Sequence, residues 1–218
     1  MRFSLHQVHH HAAHPEEAFV FALTVDRRGS REDPGALAMT HHRDRFDADL
    51  PGPVLGWQIS AGDELQALYD SAQDVLTTVF SLADERDWHV GLGIGAVDTP
   101  LPANVNEATG PAFVAAREAV TASKETGYPA VRGTDWASHA QAVLTLATAV
   151  RERRTRAARE ATDLAERGLT QQQIAATLGI AQSSVSRRLS SALWSQEQAT
   201  HPTVLTFLQW ADDAPEAS

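Results

Sequence analysis

The sequence predicts an α+β protein, with a ferredoxin-like or palm βαββαβ domain followed by an all-α domain built around a helix-turn-helix. Three observations carry this prediction. Short apolar runs bounded by turn residues fall at 18–25, 54–60, 65–69 and 88–97, with helical patterns between them. Residues 135–167 contain neither Pro nor Gly and are rich in Ala, Leu, Arg and Glu. The stretch Thr170 to Leu189 then shows the apolar spacing of two short helices about a glycine. The boundaries that follow are a flexible amino terminus at 1–17, a palm domain at 18–134, connecting helices at 135–168 and the helix-turn-helix domain at 169–211.

In chain order, residues 1–16 carry His6, His9, His10, His11 and His14. Such a tract can bind transition metals, although at a terminus it more often has no specific role. Ala18 to Val25 reads as a buried central strand, with Asp26 at its carboxyl end. Residues 34–48 are weakly helical, and Pro51-Gly52-Pro53 breaks the chain. Val54 to Ser60 and Leu65 to Tyr69 form a hairpin across Ala61-Gly62-Asp63-Glu64.

Ser71 to Arg86 has Val75, Leu76, Val79, Phe80 and Leu82 at helical spacing, with Ser71 as a cap. Trp88 to Val97 is a strand whose Gly91 and Gly93 make room for another backbone or a ligand. It is not a dinucleotide fingerprint, because Asp98-Thr99-Pro100 follows in place of a helix. Pro111 opens a helix to about Lys124, with Phe113, Ala116, Val120 and Lys124 along one side. Gly127 to Gly133 is a connection with room for a short strand. Asp135 to Arg167 is one long helix or two joined ones. Its seam runs through Trp136, Ala140, Val143, Ala147 and Val150 and breaks at Arg154, which suggests a packed half followed by a solvated basic half. Val204 to Trp210 makes a terminal helix.

A βαββαβ order gives an antiparallel sheet with its helices on one face. In that topology the end of the first strand and the hairpin tip meet at one edge, which brings Asp26, Asp63 and Glu64 together. Converging carboxylates repel unless a hard cation sits between them, so Mg²⁺ carrying a nucleotide is the expected ligand.

Four segments also carry a resemblance. V-D-R-R-G-S-R at 25–31, A-G-D-E-L-Q at 61–66, V-G-L-G-I-G at 90–95 and T-G-P-A-F-V-A-A-R-E-A-V at 109–120 resemble the SatD family. That family is similar to the palm shared by class III nucleotide cyclases and GGDEF proteins, and its members often end in a helix-turn-helix. The resemblance implies Asp26 and Asp63 as metal ligands and Arg117 facing phosphate or supporting the site, with Arg31 and Gly62 in the nucleotide-binding segments. Phe113 stands where a class III cyclase has the Asn four residues before the helix Arg, so binding is expected in preference to turnover.

In the final motif Thr170 caps a first helix with Ile174, Ala175 and Leu178 on its apolar face, Gly179 ends it, and Ile180 plugs the turn. The second helix starts near Gln182, with Val185 and Leu189 facing the first. Its exposed positions are Gln182, Ser183, Ser184, Ser186, Arg187 and Arg188, groups that suit base edges and phosphates. Thr170 and Gln171 join them at the start of the first helix. Residues 151–197 hold eight arginines and five acids, a net of +3 within a chain of net −10, so the basic share sits with this motif.

The remaining composition bounds the setting. Of 218 residues 43% are hydrophobic, enough for a buried core, and there is no cysteine, which excludes disulfides and thiolate metal sites. No apolar run is long enough to cross a bilayer and no signal pattern opens the chain, so a cytoplasmic protein is expected. Taken together, the expectation is a transcriptional regulator that binds duplex DNA as a homodimer. Its palm would sense a ligand or hold the dimer together. A nucleotide cyclase or nucleotidyltransferase localised by its helix-turn-helix is the alternative.

Overall fold

Alternation along the first strand sets the two faces of the sheet. In the computed structural model, which describes residues 19–29 and 36–213, β1 (Phe19–Arg27) sends Phe21, Leu23 and Val25 into one apolar cluster. Val20 and Ala22 enter another on the opposite face. β1 is central. It pairs antiparallel with β3 (Glu64–Tyr69), placing Phe21 opposite Tyr69 and Asp26 opposite Glu64. On its other side it pairs antiparallel with β4 (Trp88–Ala96). β2 (Leu55–Ala61) joins β3 through the two-residue turn Gly62-Asp63, where Gly62 takes φ +57°. A short β5 (Ala130–Arg132) runs parallel to β4. The five-stranded mixed sheet has the order β2-β3-β1-β4-β5.

The larger core lies on the Phe21 face, beneath α1 (Ala36–Asp49) and α2 (Ala72–Glu85). Ser71 caps α2 by accepting the Asp74 N–H at 3.2 Å. Phe46 sits edge-on to both Trp57 and Trp88 at 5.0 and 5.1 Å between ring centroids.

The other face belongs to α3 (Pro111–Thr126), so helices cover both faces and not one as expected. The reason is β5: a strand parallel to β4 needs a crossover, and its helix packs on the free face. The glycines of β4 accept that helix. A Cβ on Gly91 would lie 2.2 Å from the Val120 nitrogen, and one on Gly93 would lie 2.1 Å from the Ala112 oxygen. The visitor is therefore backbone, and α3 meets it with Ala112, Ala116, Ala119, Val120 and Ser123. Of the expected stripe, Ala116 and Val120 are buried, Phe113 is half-buried and Lys124 is exposed.

The long helical stretch is two helices, α4 (Asp135–Glu152) and α5 (Arg156–Glu166), with Thr155 capping the second through the Ala158 N–H at 3.2 Å. α4 sends Ala137, Ala140, Leu144 and Ala147 into the sheet's core. Trp136 and Val143, expected on the seam, lie at its margin. Arg154 marks the break but is buried, so the predicted solvated basic half does not begin there. α6 (Gln171–Leu178), α7 (Gln182–Ser191) and the short α8 (Trp194–Gln198) follow. α5 to α7 share a separate cluster built on Ala161, Ile174, Ala175, Val185 and Leu189. α9 (His201–Asp213) returns to the sheet, where Val204 and Leu208 join the larger core. No helix among the described residues is long and apolar enough to cross a membrane.

Candidate functional site

The α6–α7 pair is built from local rules that agree. Thr170 and Gln173 cap α6 reciprocally: the Thr170 hydroxyl accepts the Gln173 N–H at 3.4 Å, and the Thr170 N–H donates to Gln173 Oε1 at 2.9 Å. Gly179, at φ +65°, ends α6 in the left-handed conformation. The Ile180 N–H then bonds back to the Ala175 carbonyl at 3.0 Å, and Ala181 accepts from Ser184 and Val185 to start α7. Ile174 and Ala175 of α6 are buried against Val185 and Leu189 of α7, and full burial of a branched aliphatic side chain is worth about 1.5–3 kcal/mol. The turn is thus closed on its apolar side, and its polar side faces outward.

On that outer side Gln182, Ser183, Ser186 and Arg187 of α7 are exposed, as are Thr170 and Gln171 at the start of α6. Ser184 is half-buried. The two arginines of α7 are not equivalent, although the sequence treats them alike. Arg187 is exposed and makes no hydrogen bond or ion pair among the described residues. Arg188 is half-buried, donates to the Ala157 carbonyl at 3.3 Å and lies 3.7 Å from Glu160, so it braces α7 against α5. Thr170 spends its hydroxyl on the cap. Arg156, which the sequence reading did not single out, pairs with Glu160 at 3.3 Å. Its side chain is 95% exposed at the start of α5, beside the Ala157 carbonyl that holds Arg188. The clustering of arginines after position 150 was the signal that could have found it.

The carboxylate end of the sheet is organised differently. Asp26 and Glu64 do meet, as directly opposite partners on β1 and β3. Each is answered by a cation from α3: Lys124 Nζ lies 2.5 Å from Asp26, and Arg117 Nη2 lies 3.1 Å from Glu64. Arg117 and Lys124 are seven residues apart, two turns along one side of α3, which matches the two carboxylates. Glu64 Oε1 also accepts from Ser60 at 2.6 Å and from Gln66 at 3.4 Å, and Gln66 reaches Thr24 at 3.2 Å. His89 lies 3.3 Å from the Ser123 carbonyl, and burial followed by the Arg28 charge pushes its pKa down.

Asp63 sits in the hairpin turn, where its carbonyl accepts the Arg27 N–H at 3.2 Å. No group of three His, Cys, Asp or Glu among the described residues is arranged to hold a metal ion. Asp26 and Glu64 are thus each paired with a cation from α3, while Asp63, the third of the expected triad, lies in the turn. The sheet register brought the first two together, and the cations came from α3, where the sequence placed Lys124 with the apolar stripe and not opposite Asp26. Beside Arg117 an open groove of about 360 Å³ is lined by Gln66, Ala108, Phe113, Val114 and Glu118. Gly62 serves the turn, and Arg31, like the histidine tract, lies outside the described residues.

Comparison of the chain with protein-family models, with curated proteins and with solved structures finds no match. Function is therefore argued from the two sites themselves.

Proposed function

We propose that this protein is a transcriptional regulator that reads duplex DNA with α7, as one half of a homodimer. The observation that carries the reading is the division of α7 into a buried side, Val185 and Leu189, and an exposed side, Gln182, Ser183, Ser186 and Arg187. A helix docked through a three-residue turn with such an outer side is the arrangement a helix-turn-helix lays in a major groove. Gln can bond bidentately to adenine and Arg to guanine, while serine hydroxyls and the first helical turn suit phosphate oxygens. The exposed arginines of this part of the chain, Arg153, Arg156, Arg167 and Arg187, supply attraction to phosphate, and the acidic remainder, repelled by DNA, favours the orientation that presents them.

One such helix pair covers little DNA, and useful affinity comes from two copies on a pseudo-palindrome. The sheet, with its separate core, is the part assigned to dimerisation or to a ligand. The nucleotide-enzyme reading has less support, because Arg117 and Lys124 already neutralise Glu64 and Asp26. The test is selection from a random duplex pool, followed by affinity measurement at several salt concentrations. Binding to the selected site should fall steeply with salt. If Arg187→Ala binds that site as tightly as the native protein, α7 is not the reader and the proposal fails.

A further inference from the structure

The two cores are joined by a buried ionic cluster centred on Glu197 of α8. Its side chain is fully buried. Oε1 accepts from Arg151 Nη1 at 3.1 Å and lies 2.5 Å from His201 Nε2; Oε2 accepts from Arg154 Nη2 and Gln198 Nε2, each at 3.1 Å. Arg151 and Arg154 are themselves almost wholly buried. From the end of α4, Arg151 also reaches Asp84 of α2 and, at 2.8 Å, Glu166 of α5. Arg154 donates from Nε to the Ala192 carbonyl, just past α7, at 3.2 Å. Phe80 of α2 closes the cluster, with His201 stacked on its ring at 4.8 Å and the Arg151 guanidinium 4.9 Å from its centroid. The sheet's α2, α4 and α9 and the reading unit's α5 and α7 thus all converge on one carboxylate and two guanidiniums.

A buried ion pair is weak support for stability, because desolvation cancels much of its attraction, and its best-attested use is to fix one geometry among several. An apolar contact tolerates sliding and rotation. Guanidinium–carboxylate bonds do so far less, since each donor has a fixed direction. We infer that Arg151, Arg154 and Glu197 are positioning residues: they lock the angle between the DNA-reading helices and the sheet, and so set the spacing of the two half-sites that a dimer recognises. The inference rests on the DNA-binding reading above. Spacing is the property it controls because two readers must enter the groove about one helical turn apart, while each half-site sequence depends on α7 alone.

The test uses the full chain and duplexes carrying two copies of the selected half-site, with the spacer changed in single-base-pair steps. The variant is Asp84→Asn with Glu166→Gln, which cuts the two exposed arms of Arg151 and leaves α7 untouched. Affinity for a single half-site should be unchanged, while discrimination between the best spacer and its neighbours should fall about fivefold or more. Glu197→Gln should lose at least as much. A general loss of stability would lower affinity at all spacers alike. If the folded double variant keeps native spacing discrimination, or if the native protein binds DNA with no spacing preference, the inference is overturned. Should the double variant fail to fold, Asp84→Asn alone, at a 40% exposed carboxylate, gives the same reading. Should the native protein bind no duplex, the DNA-binding reading fails and calorimetry decides on the lock. One melting transition in the native chain and two in the double variant would support it, and a single transition in both would overturn it.

Discussion

The outer side of α7 and the carboxylate end of the sheet are both polar, yet they treat their polar groups in opposite ways. Asp26, Glu64, Gln66, Arg117 and Lys124 satisfy one another. On α7, Arg187 has no partner among the described residues, and Gln182, Ser183 and Ser186 face outward beside it. A charged group held by its neighbours must exchange one partner for another to bind anything, and the net gain is small. One held in water loses only hydration and side-chain freedom. The contrast teaches that two polar sites marked in the sequence differ in readiness, and that the difference lies in what surrounds them.

The most severe way to break this contrast is to destroy the scaffold of the outward side. Val185→Asp buries an unpaired charge between α6 and α7 and should cost about 4 kcal/mol or more, melting the reading unit and abolishing DNA binding. Circular dichroism should show lost helix with the sheet retained; an unaffected melting curve would mean that the α5–α7 cluster is not a core.

Acid probes the junction of the two regions. Burial alone would raise the Glu197 carboxyl, but the hydrogen bond with His201, the charges of Arg151 and His201 and the hydrogen bond from Arg154 overcome it and hold the pKa down, from 4.5 to about 2. The folded value lies below the unfolded one, so the stabilisation is complete above about pH 5 and is lost as pH falls toward 2. It amounts to roughly 3 kcal/mol. Urea unfolding across that window should lose this much less stability in Glu197→Gln than in the native chain. Equal acid sensitivity in the two proteins would remove Glu197 as the cause.

The two arginines of α7 give a finer comparison. Arg187→Ala should weaken specific binding by about 1–3 kcal/mol with little change in melting temperature. Arg188→Ala should chiefly lower the melting temperature, because its guanidinium holds α5. Reversed effects would exchange the roles of reader and brace.

The smallest effect belongs to the sheet. Asp26→Asn with Glu64→Gln removes two ion pairs whose basic partners are largely exposed, worth together about 1 kcal/mol or less. Added Mg²⁺ should shift the melting temperature of neither protein. A rise in the native chain that the double variant lacks would show that the carboxylates serve a cation after all.

Much of this was legible in the sequence where the cause is local. Alternation marked the strands, the Gly62-Asp63 turn marked the hairpin, and Thr170, Ile174, Gly179 and Val185 marked α6 and α7. What could not be read was which surfaces meet. Gly91 and Gly93, on one side of β4, did announce a close approach, though not whether by a backbone or a ligand, nor that it was α3. Nothing near Asp26 in the chain points to Lys124, and Arg154 looked solvated because its partner Glu197 lies more than forty residues away. Partners brought together by tertiary packing decide whether a charge is a site or a strut.

The return of α9 to the sheet has a consequence for synthesis. Helices α5 to α7 lie wholly between two segments, α4 and α9, that are both built into the sheet's core. On the ribosome, α5 to α7 can therefore emerge and close their own cluster while the sheet still lacks Val204 and Leu208. The nascent chain can close the α5–α7 cluster before it completes the sheet's core, and a message truncated ahead of His201 would remove Val204 and Leu208 from that core and the His201 partner from Glu197, while leaving Ile174, Ala175, Val185 and Leu189 in place.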